Sequence, residues 1–398
     1  MLGPADSQTG RIGRESAVIT PMEITLERAV STPDPDAEKR ARVARRLGQR
    51  RDQKVSGRPR IWRSRIVAWL VWLYAAGVLV AWGLLLGGGD RWWFPTVMLY
   101  SPRWIYALPL IVLVPTALLW RRRMLWVLTA VALIVGGPIM GFCAPWTGWA
   151  ASDESTIRTL TCNVQTDHVD REALARLIEE TRPDIVALQE CDPDYRPTWP
   201  PGWHTYRAGG LLLASRYPIR NVQIRLLRHP PQRWPRVSAI YCIVETPQRP
   251  VHFCNLHLRS PRWGLMEVLD RRSVVDASRS PALLAEIDYR RREAQEIKEW
   301  IDGLSPSVVI AGDFNMPTDS TIYRDTWAAY ANAFSQVGWG FGYTKWSPLF
   351  GFHYGSRIDH VLTGAGWRAV NCRVGPEVSS DHRPLIADLS WTGPSDAP

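Results

Sequence analysis

Eight residues able to bind a cation or move a proton fall where six short apolar runs end. They are Asn163 in TCNVQ, Glu190 in IVALQEC, His257 in CNLHL, Asp313 and Asn315 in VVIAGDFN, Asp359 in SRIDHVL, and Asp381 with His382 in SSDHRP. Carboxylate and amide oxygens are hard donors of the kind Mg2+ prefers, and an imidazole exchanges a proton near neutral pH. In α/β sheets the ends of strands are where ligand-binding groups are commonly exposed. One carboxylate in such a place is an ordinary cap or turn residue. Six strand ends carrying such groups in succession are not explained by capping, and they define a candidate catalytic site.

The elements that must position these groups begin near residue 156, where short apolar runs start to alternate with polar turns and helical stretches, as in an α/β domain. Strands are expected at 157–164, 185–189, 210–215, 239–245, 251–257, 308–311, 359–362 and 385–389. Helices are expected at 170–181, where Leu174, Leu177 and Ile178 recur at helical spacing, and at 283–301. Residues 260–279 read as an exposed loop or an extra helix. The aromatic stretch Trp339, Phe341, Tyr343, Trp346, Leu349, Phe350 and Phe352 reads as core or as an apolar rim beside the site. His353 and His360 lie near the motifs and either tune the site or pack. Arg259, Arg262, Arg291 and Arg292 either reach phosphate groups or are solvated.

Upstream lie three uncharged apolar runs, 66–86, 104–120 and 124–142, each about long enough to cross a bilayer. Trp62, Trp69, Trp92, Trp93, Trp104 and Trp120 fall at or near their ends, as interfacial Trp residues do. Twelve Lys and Arg against Asp52 alone occupy residues 39–65, and Arg121, Arg122 and Arg123 separate the second and third runs. Basic residues accumulate on the cytoplasmic side, so the path is inside, outside, inside, outside. That puts the C-terminal domain outside a plasma membrane as part of a multi-pass protein. If the second run, with Pro109 and Pro115, is re-entrant, the domain is cytoplasmic. The expected organisation is a disordered basic cytoplasmic tail (1–60), a three-span anchor (61–147) and a catalytic domain (148–398).

The net charge of +10 is unevenly divided: 20 Lys and Arg against 9 Asp and Glu up to residue 147, then 28 against 29, which is +11 and −1. The catalytic region therefore lacks the overall basic excess that nucleic-acid phosphates usually require, although a local basic cleft is compatible with it. Of six cysteines, Cys242 and Cys254 flank a turn symmetrically, but buried free thiols are the preferred reading. No pairing of cysteines resembles a zinc site.

Over residues 156–389, the motifs QE, HL, GDFN, RIDH and SDHRP in register resemble the endonuclease/exonuclease/phosphatase superfamily, here in a membrane-anchored bacterial form. The resemblance implies a four-layered α/β sandwich, two packed mixed sheets flanked by helices, preceded by three transmembrane helices. It also implies a phosphoester hydrolase, because the negative oxygens of a phosphoester call for a divalent cation in the transition state. On this resemblance Glu190, Asn163 and Asp381 hold Mg2+ or Mn2+. His382 is the general base, supported by Asp359. Asp313 positions or activates the attacking water, Asn315 holds it and a phosphate oxygen, and His257 donates to the phosphate. The expected activity is that of a phosphatase or phosphodiesterase on a membrane-associated or extracytoplasmic substrate such as a phosphorylated lipid, with the bilayer as partner. The alternatives are an extracytoplasmic DNA or RNA endonuclease and a non-catalytic binding module. Since every site residue lies beyond residue 155, the chemistry is expected to survive removal of residues 1–147.

Overall fold

A computed structural model describes residues 35–145, 156–166, 168–228, 235–269, 278, 280–349 and 351–393. The expected disorder of residues 1–34, the domain boundary at 147/148, Phe350 and most of 270–279 lie outside the described residues. Residues Met1–Ile61 and Trp62–Pro398 are two units.

In the first unit the described residues are helical, as the beginning of α1 (Pro35–Gly88). This corrects the expectation of disorder for residues 35–60. A proline and two acids, Asp36 and Glu38, open the helix where a missing N–H costs nothing and negative charge meets the positive end of the dipole. Ala, Arg, Lys, Glu and Gln then sustain it, because these residues lose little freedom in a helix. Side chains 36–47 are exposed.

In the second unit, three helical stretches are long and apolar enough to cross a membrane: Trp62–Gly88, Arg103–Trp120 and Arg122–Ile139. The first is the end of α1. A short helix α2 (Trp93–Leu99) lies in the following loop, and a 3-10 turn, Arg103–Ala107, leads into α3 (Leu108–Trp120). Pro109 falls in the first turn of α3, where it is tolerated, and Pro115 lies inside. The third stretch is α4 (Leu125–Ile134), which runs into a π turn, Val135–Ile139, around Pro138. Val71, Ala75, Val78 and Leu85 of α1 face Leu113, Ala117, Leu128, Val131 and Ile139, while Trp69, Ile111, Leu119 and Trp126 are exposed. An apolar outer surface of this kind suits lipid rather than water. Arg121 donates to Ser64 Oγ at 3.1 Å, so the basic turn between α3 and α4 lies at the Arg63 and Arg65 end of the bundle.

The remainder builds two six-stranded sheets. In the first, the order is β13 (Trp367–Val374), β14 (Leu385–Trp391), β1 (Thr156–Asn163), β2 (Ile185–Gln189), β4 (Leu211–Ser215) and β3 (His204–Ala208). The second runs β5 (Ile219–Leu227), β6 (Arg236–Glu245), β7 (Pro250–His257), β8 (Val309–Asp313), β12 (Asp359–Thr363) and β9 (Ala331–Asn332). Each sheet has one parallel pair, β1 with β2 and β7 with β8, within otherwise antiparallel neighbours. Ile157, Ala187 and Leu213 of one sheet meet Ile240, Phe253 and Val309 of the other in a shared core. Leu174, Leu177 and Ile178 of α5 (Arg171–Thr181) cover the first sheet, and Leu283, Ile287, Ile297 and Ile301 of α7 (Ser280–Asp302) cover the second. The four layers are those expected.

Alternation along β6 and β7 sends Cys242 into the inter-sheet core and Cys254 under α7, so the two thiols face opposite sides of one sheet. All six cysteines are free. Residues 262–268 form a helix, α6 (Arg262–Val268), and α8 (Thr321–Trp327) and α9 (Ala333–Val337) complete the helices. Among its described residues the aromatic stretch is part buried and part free, with Trp339 and Phe352 exposed. Part of it is a hairpin, β10 (Lys345–Leu349) with β11 (Phe352–Ser356), and part meets the end of the third span, where Phe142 packs edge-on against Trp339 and Phe341 at 5.6 and 5.3 Å.

Candidate functional site

The carboxyl ends of the two parallel pairs converge. Register places His257 beside Asp313 across β7 and β8, and Asp359 beside Asp313 across β8 and β12, so Asp313 sits between them. Cross-strand neighbours lie about 5 Å apart, close enough for their side chains to interact. β7 and β8 approach so closely at Gly312 (φ +149°) that a Cβ there would lie 2.0 Å from the Leu256 carbonyl oxygen, which accounts for the glycine of GDFN. From the first sheet, Asn163 ends β1 and Glu190 follows β2 at φ +54°, an unfavourable conformation for a glutamate that turns its side chain out of the strand's alternation.

Asn163 bridges the sheets. Its amide donates to Glu190 Oε1 at 2.9 Å and Asp313 Oδ2 at 3.0 Å, while its Oδ1 accepts from the Gln165 N–H. In this arrangement its N–H groups face the carboxylates and its oxygen faces the backbone. Asn315 (φ +53°) donates its backbone N–H to Asp313 Oδ1 at 2.8 Å and its amide to Asp313 Oδ2 and the Leu258 carbonyl. Both amide hydrogens are engaged, so Asn315 helps fix Asp313. His257 Nε2 lies 3.6 Å from Glu190 Oε1 and 3.7 Å from Asp313 Oδ2. On the other side of Asp313, His382 Nδ1 is 2.8 Å from Asp359 Oδ2, with its Nε2 3.8 Å from both Asp313 Oδ2 and Asp381 Oδ1. Two acid–histidine clusters therefore share Asp313: Glu190, His257 and Asp313, and Asp313, Asp359 and His382. Asp381 borders the second through His382.

Burial and the neighbouring Asp359 raise the Asp313 carboxyl well above the usual range. Burial pulls His382 down, but Asp359 and Asp313 outweigh it and lift the imidazole to about 9. Burial, with Arg236 and His382 nearby, holds His257 well below 6.5 and therefore neutral. Two adjacent histidines are thus held in opposite protonation states.

The donor set suits a divalent cation. The Oδ1 atoms of Asp359 and Asp381 are buried and meet no hydrogen-bond donor among the described residues, and Glu190 opens to a cleft with its side chain 38 % exposed. That cleft, of about 750 Å3, is lined by Glu190, His257, Arg236, Arg259, Trp263 and Glu286, and its volume falls within the usual range for ligand sites.

Some neighbours of the site left no motif. Lys345 of β10 pairs with Asp381 Oδ2, and β10 bridges to His382. Thr344 Oγ1 accepts the Asp359 N–H at 3.2 Å, and Ser380 Oγ donates to the Asn163 carbonyl. His360 is buried between Phe314 and Tyr323, bonded to the Met316 carbonyl, and pushed by burial down to about 3, so it packs. His353 is exposed on β11. Arg259 is paired with Glu286 at the cleft. Arg291 is turned to Asp325 and the Asp90 carbonyl, and Arg292 lies over the Tyr289 ring.

Residues 160–382 match the model of the Endonuclease/Exonuclease/phosphatase family. Among solved structures, the chain is similar to a 3' phosphatase from Neisseria bound to product DNA hairpin, at 21 % identity over 59 % of this chain and 100 % of that one, with a TM-score of 0.45. It is also similar to an endonuclease/exonuclease/phosphatase from Beutenbergia cavernae, at 18 % identity over 61 % and 73 % of the two chains, TM-score 0.44. A third, from Bacteroides vulgatus, shows 18 % identity over 60 % and 100 %, TM-score 0.45. No curated protein matches the chain by sequence.

Proposed function

The chain belongs to the endonuclease/exonuclease/phosphatase family, and from that premise we propose that it is a membrane-anchored, divalent-metal-dependent hydrolase of extracytoplasmic or membrane-associated phosphoesters. The observation that carries the reading is the pair of clusters sharing Asp313, the first of which opens on the cleft through Glu190 and His257, together with the buried Oδ1 atoms of Asp359 and Asp381 that meet no donor among the described residues. Glu190 and the free Oδ1 of Asp381 would hold Mg2+ or Mn2+, with Lys345 engaging the other Asp381 oxygen. A cation bound there neutralises charge that accumulates on the phosphoryl oxygens.

The chain's own groups divide the proton chemistry. Asp313, with its raised proton affinity, suits the acceptor of a proton from water, since a base works best when its pKa lies near the working pH. His382, kept as an imidazolium by Asp359, offers Nε2–H to a phosphoryl or leaving oxygen. In this reading Asp313 takes the base role that the sequence assigned to His382. Neutral His257 lines the cleft beside Glu190 and orients the phosphate, and Asn163 and Asn315 fix the carboxylates.

Topology supports an outer location. The loop after the first span and the end of the third both bond to the catalytic domain, through Asp90 with Arg290 and through Cys143 with Gly340, while the basic turn lies at the other end of the bundle. The second span therefore runs the length of the bundle, and three crossings separate the domain from the basic end. Exposed Trp339, packed on Phe142 at the end of the third apolar stretch, and exposed Phe352 suit contact with a bilayer surface and favour a lipid phosphate. Arg236 and Arg259 at the cleft favour the second reading, a nuclease. Full-length protein given Mg2+, with phosphorylated lipid in vesicles and with supercoiled plasmid, tests both. Phosphate release from lipid that stops on chelation is expected. Plasmid nicking without release would replace the phosphatase reading by the nuclease one.

A further inference from the structure

The loop joining the first two spans enters the catalytic domain with a buried charge. Asp90 and Arg290 are both fully buried, and Arg290 Nη1 donates to Asp90 Oδ1 at 2.5 Å across 200 residues of chain. The second Asp90 oxygen accepts from Ser320 Oγ at 2.6 Å and Tyr100 Oη at 2.9 Å. Asp90 itself is at φ +57°, and the loop is tied further by the Thr321 N–H on the Gly89 carbonyl and by Arg291 on the Asp90 carbonyl. Isolated buried ions are strongly disfavoured, so Asp90 and Arg290 depend on each other, although one belongs to the anchor and the other to α7.

The rest of the Arg290 guanidinium points at the site. Nη2 donates to the Asn315 carbonyl at 2.9 Å and to Tyr100 Oη at 2.6 Å, Tyr100 Oη lies 3.3 Å from the same carbonyl, and Nε donates to the Arg259 carbonyl at 3.2 Å. Asn315 is the residue whose N–H and amide hold both oxygens of Asp313, and Arg259 lines the cleft. One guanidinium therefore links the anchor loop to the Arg259 backbone at the cleft and to the Asn315 backbone beside Asp313. Its planar fork suits this task, since one rigid group satisfies several acceptors in fixed relation.

We propose that Asp90, Tyr100 and Arg290 are positioning residues of the site, and that the loop between the first two spans completes the catalytic centre by holding Asn315, and through it Asp313. The catalytic half of this inference rests on the function proposed above. Removing residues 1–147, expected from the sequence to spare the chemistry, would leave the buried Arg290 without its carboxylate and Asn315 without its clamp. The anchor is then part of the enzyme and not only a tether.

The test uses full-length protein in lipid nanodiscs with Mg2+, as wild type, Tyr100→Phe and Asp90→Asn, with Tyr343→Phe as a control. Tyr343 Oη donates to the Met140 carbonyl, a different contact between domain and anchor. In Tyr100→Phe and Asp90→Asn, kcat on bis(p-nitrophenyl) phosphate should fall by about 10- to 100-fold with KM little changed, because misplacement near 1 Å has that effect on chemistry. Amide hydrogen exchange of residues 313–320 should rise by about tenfold in both, while β1 and β2 keep their protection. The control should change neither quantity. Tyr100→Phe keeps its ring and loses a single hydroxyl, so it decides the matter if Asp90→Asn fails to fold. Unchanged kcat and unchanged exchange at 313–320 in folded Tyr100→Phe would overturn the proposal. Should the wild type hydrolyse no phosphoester, the exchange measurement alone still decides the positioning, and only the function proposed above would fall.

Discussion

Asp359→Asn isolates what the His382 partnership contributes. The two groups are 2.8 Å apart and almost entirely buried, so solvent screens their attraction little. Without the carboxylate His382 loses its largest raising influence, leaving Asp313 alone against burial and Lys345, whereas in the native site it stands at about 9. At 1.36 kcal/mol per pH unit, the rise from 6.5 to about 9 stabilises the imidazolium by about 3 kcal/mol. If that cation stabilises the transition state, losing it should slow turnover by about 100-fold at pH 7, since each 1.36 kcal/mol is a factor of ten. The assay is the pH profile of kcat for a soluble phosphodiester between pH 5 and 10 at saturating Mg2+, alongside Mn2+ binding followed by electron paramagnetic resonance. A bound cation lowers the proton affinity of both proteins, so the quantity to read is the displacement between them. The alkaline limb of the variant should lie at least about two pH units below that of the wild type. Coincident alkaline limbs with intact Mn2+ binding would refute the assignment of His382 as a working imidazolium.

Glu190→Ala should raise the Mg2+ concentration needed for half-maximal activity and be partly restored by excess Mg2+, with EDTA abolishing wild-type hydrolysis; equal Mg2+ curves would exclude Glu190 as a ligand. Gly312→Ala should lower stability by more than about 2 kcal/mol in denaturant unfolding, because the new methyl meets backbone that has no room to shift. In EDTA, stability should decline with rising pH: His382 binds its proton more tightly folded than unfolded, so its contribution is full below pH 6.5 and lost as pH passes about 9. A flat melting temperature across that window would contradict the raised imidazole. A reporter fused after Pro398 should read as extracytoplasmic, and a cytoplasmic readout would remove the three-crossing topology.

The parts of the fold legible in the sequence are those where burial writes a pattern. IVALQ and VIAGD are buried at every position and read as continuous apolar strands, and α5 shows its covered face at Leu174, Leu177 and Ile178. The strands β3 and β5 escaped notice because they are edges, half exposed and studded with His204, Arg207, Arg220 and Arg225, and owe their extended state to pairing rather than to an apolar pattern. The site was legible for a related reason: its groups end buried central strands. Lys345 was not, since a lone lysine among aromatics carries no periodic signal. Asp90 and Arg290 were the least legible. Each reads by itself as an ordinary solvated charge, and only folding across 200 residues shows that both are buried.

The first sheet holds β1 next to β14, so the strand that opens the catalytic domain is completed by nearly the last described residues of the chain. During synthesis, at roughly 5 to 20 residues per second, every other part of the site is made before β14 can close against β1. His382 emerges only three residues ahead of that strand. A chain made only as far as β8 therefore carries Glu190, His257 and Asp313 but still lacks His382 and the strand that pairs with β1.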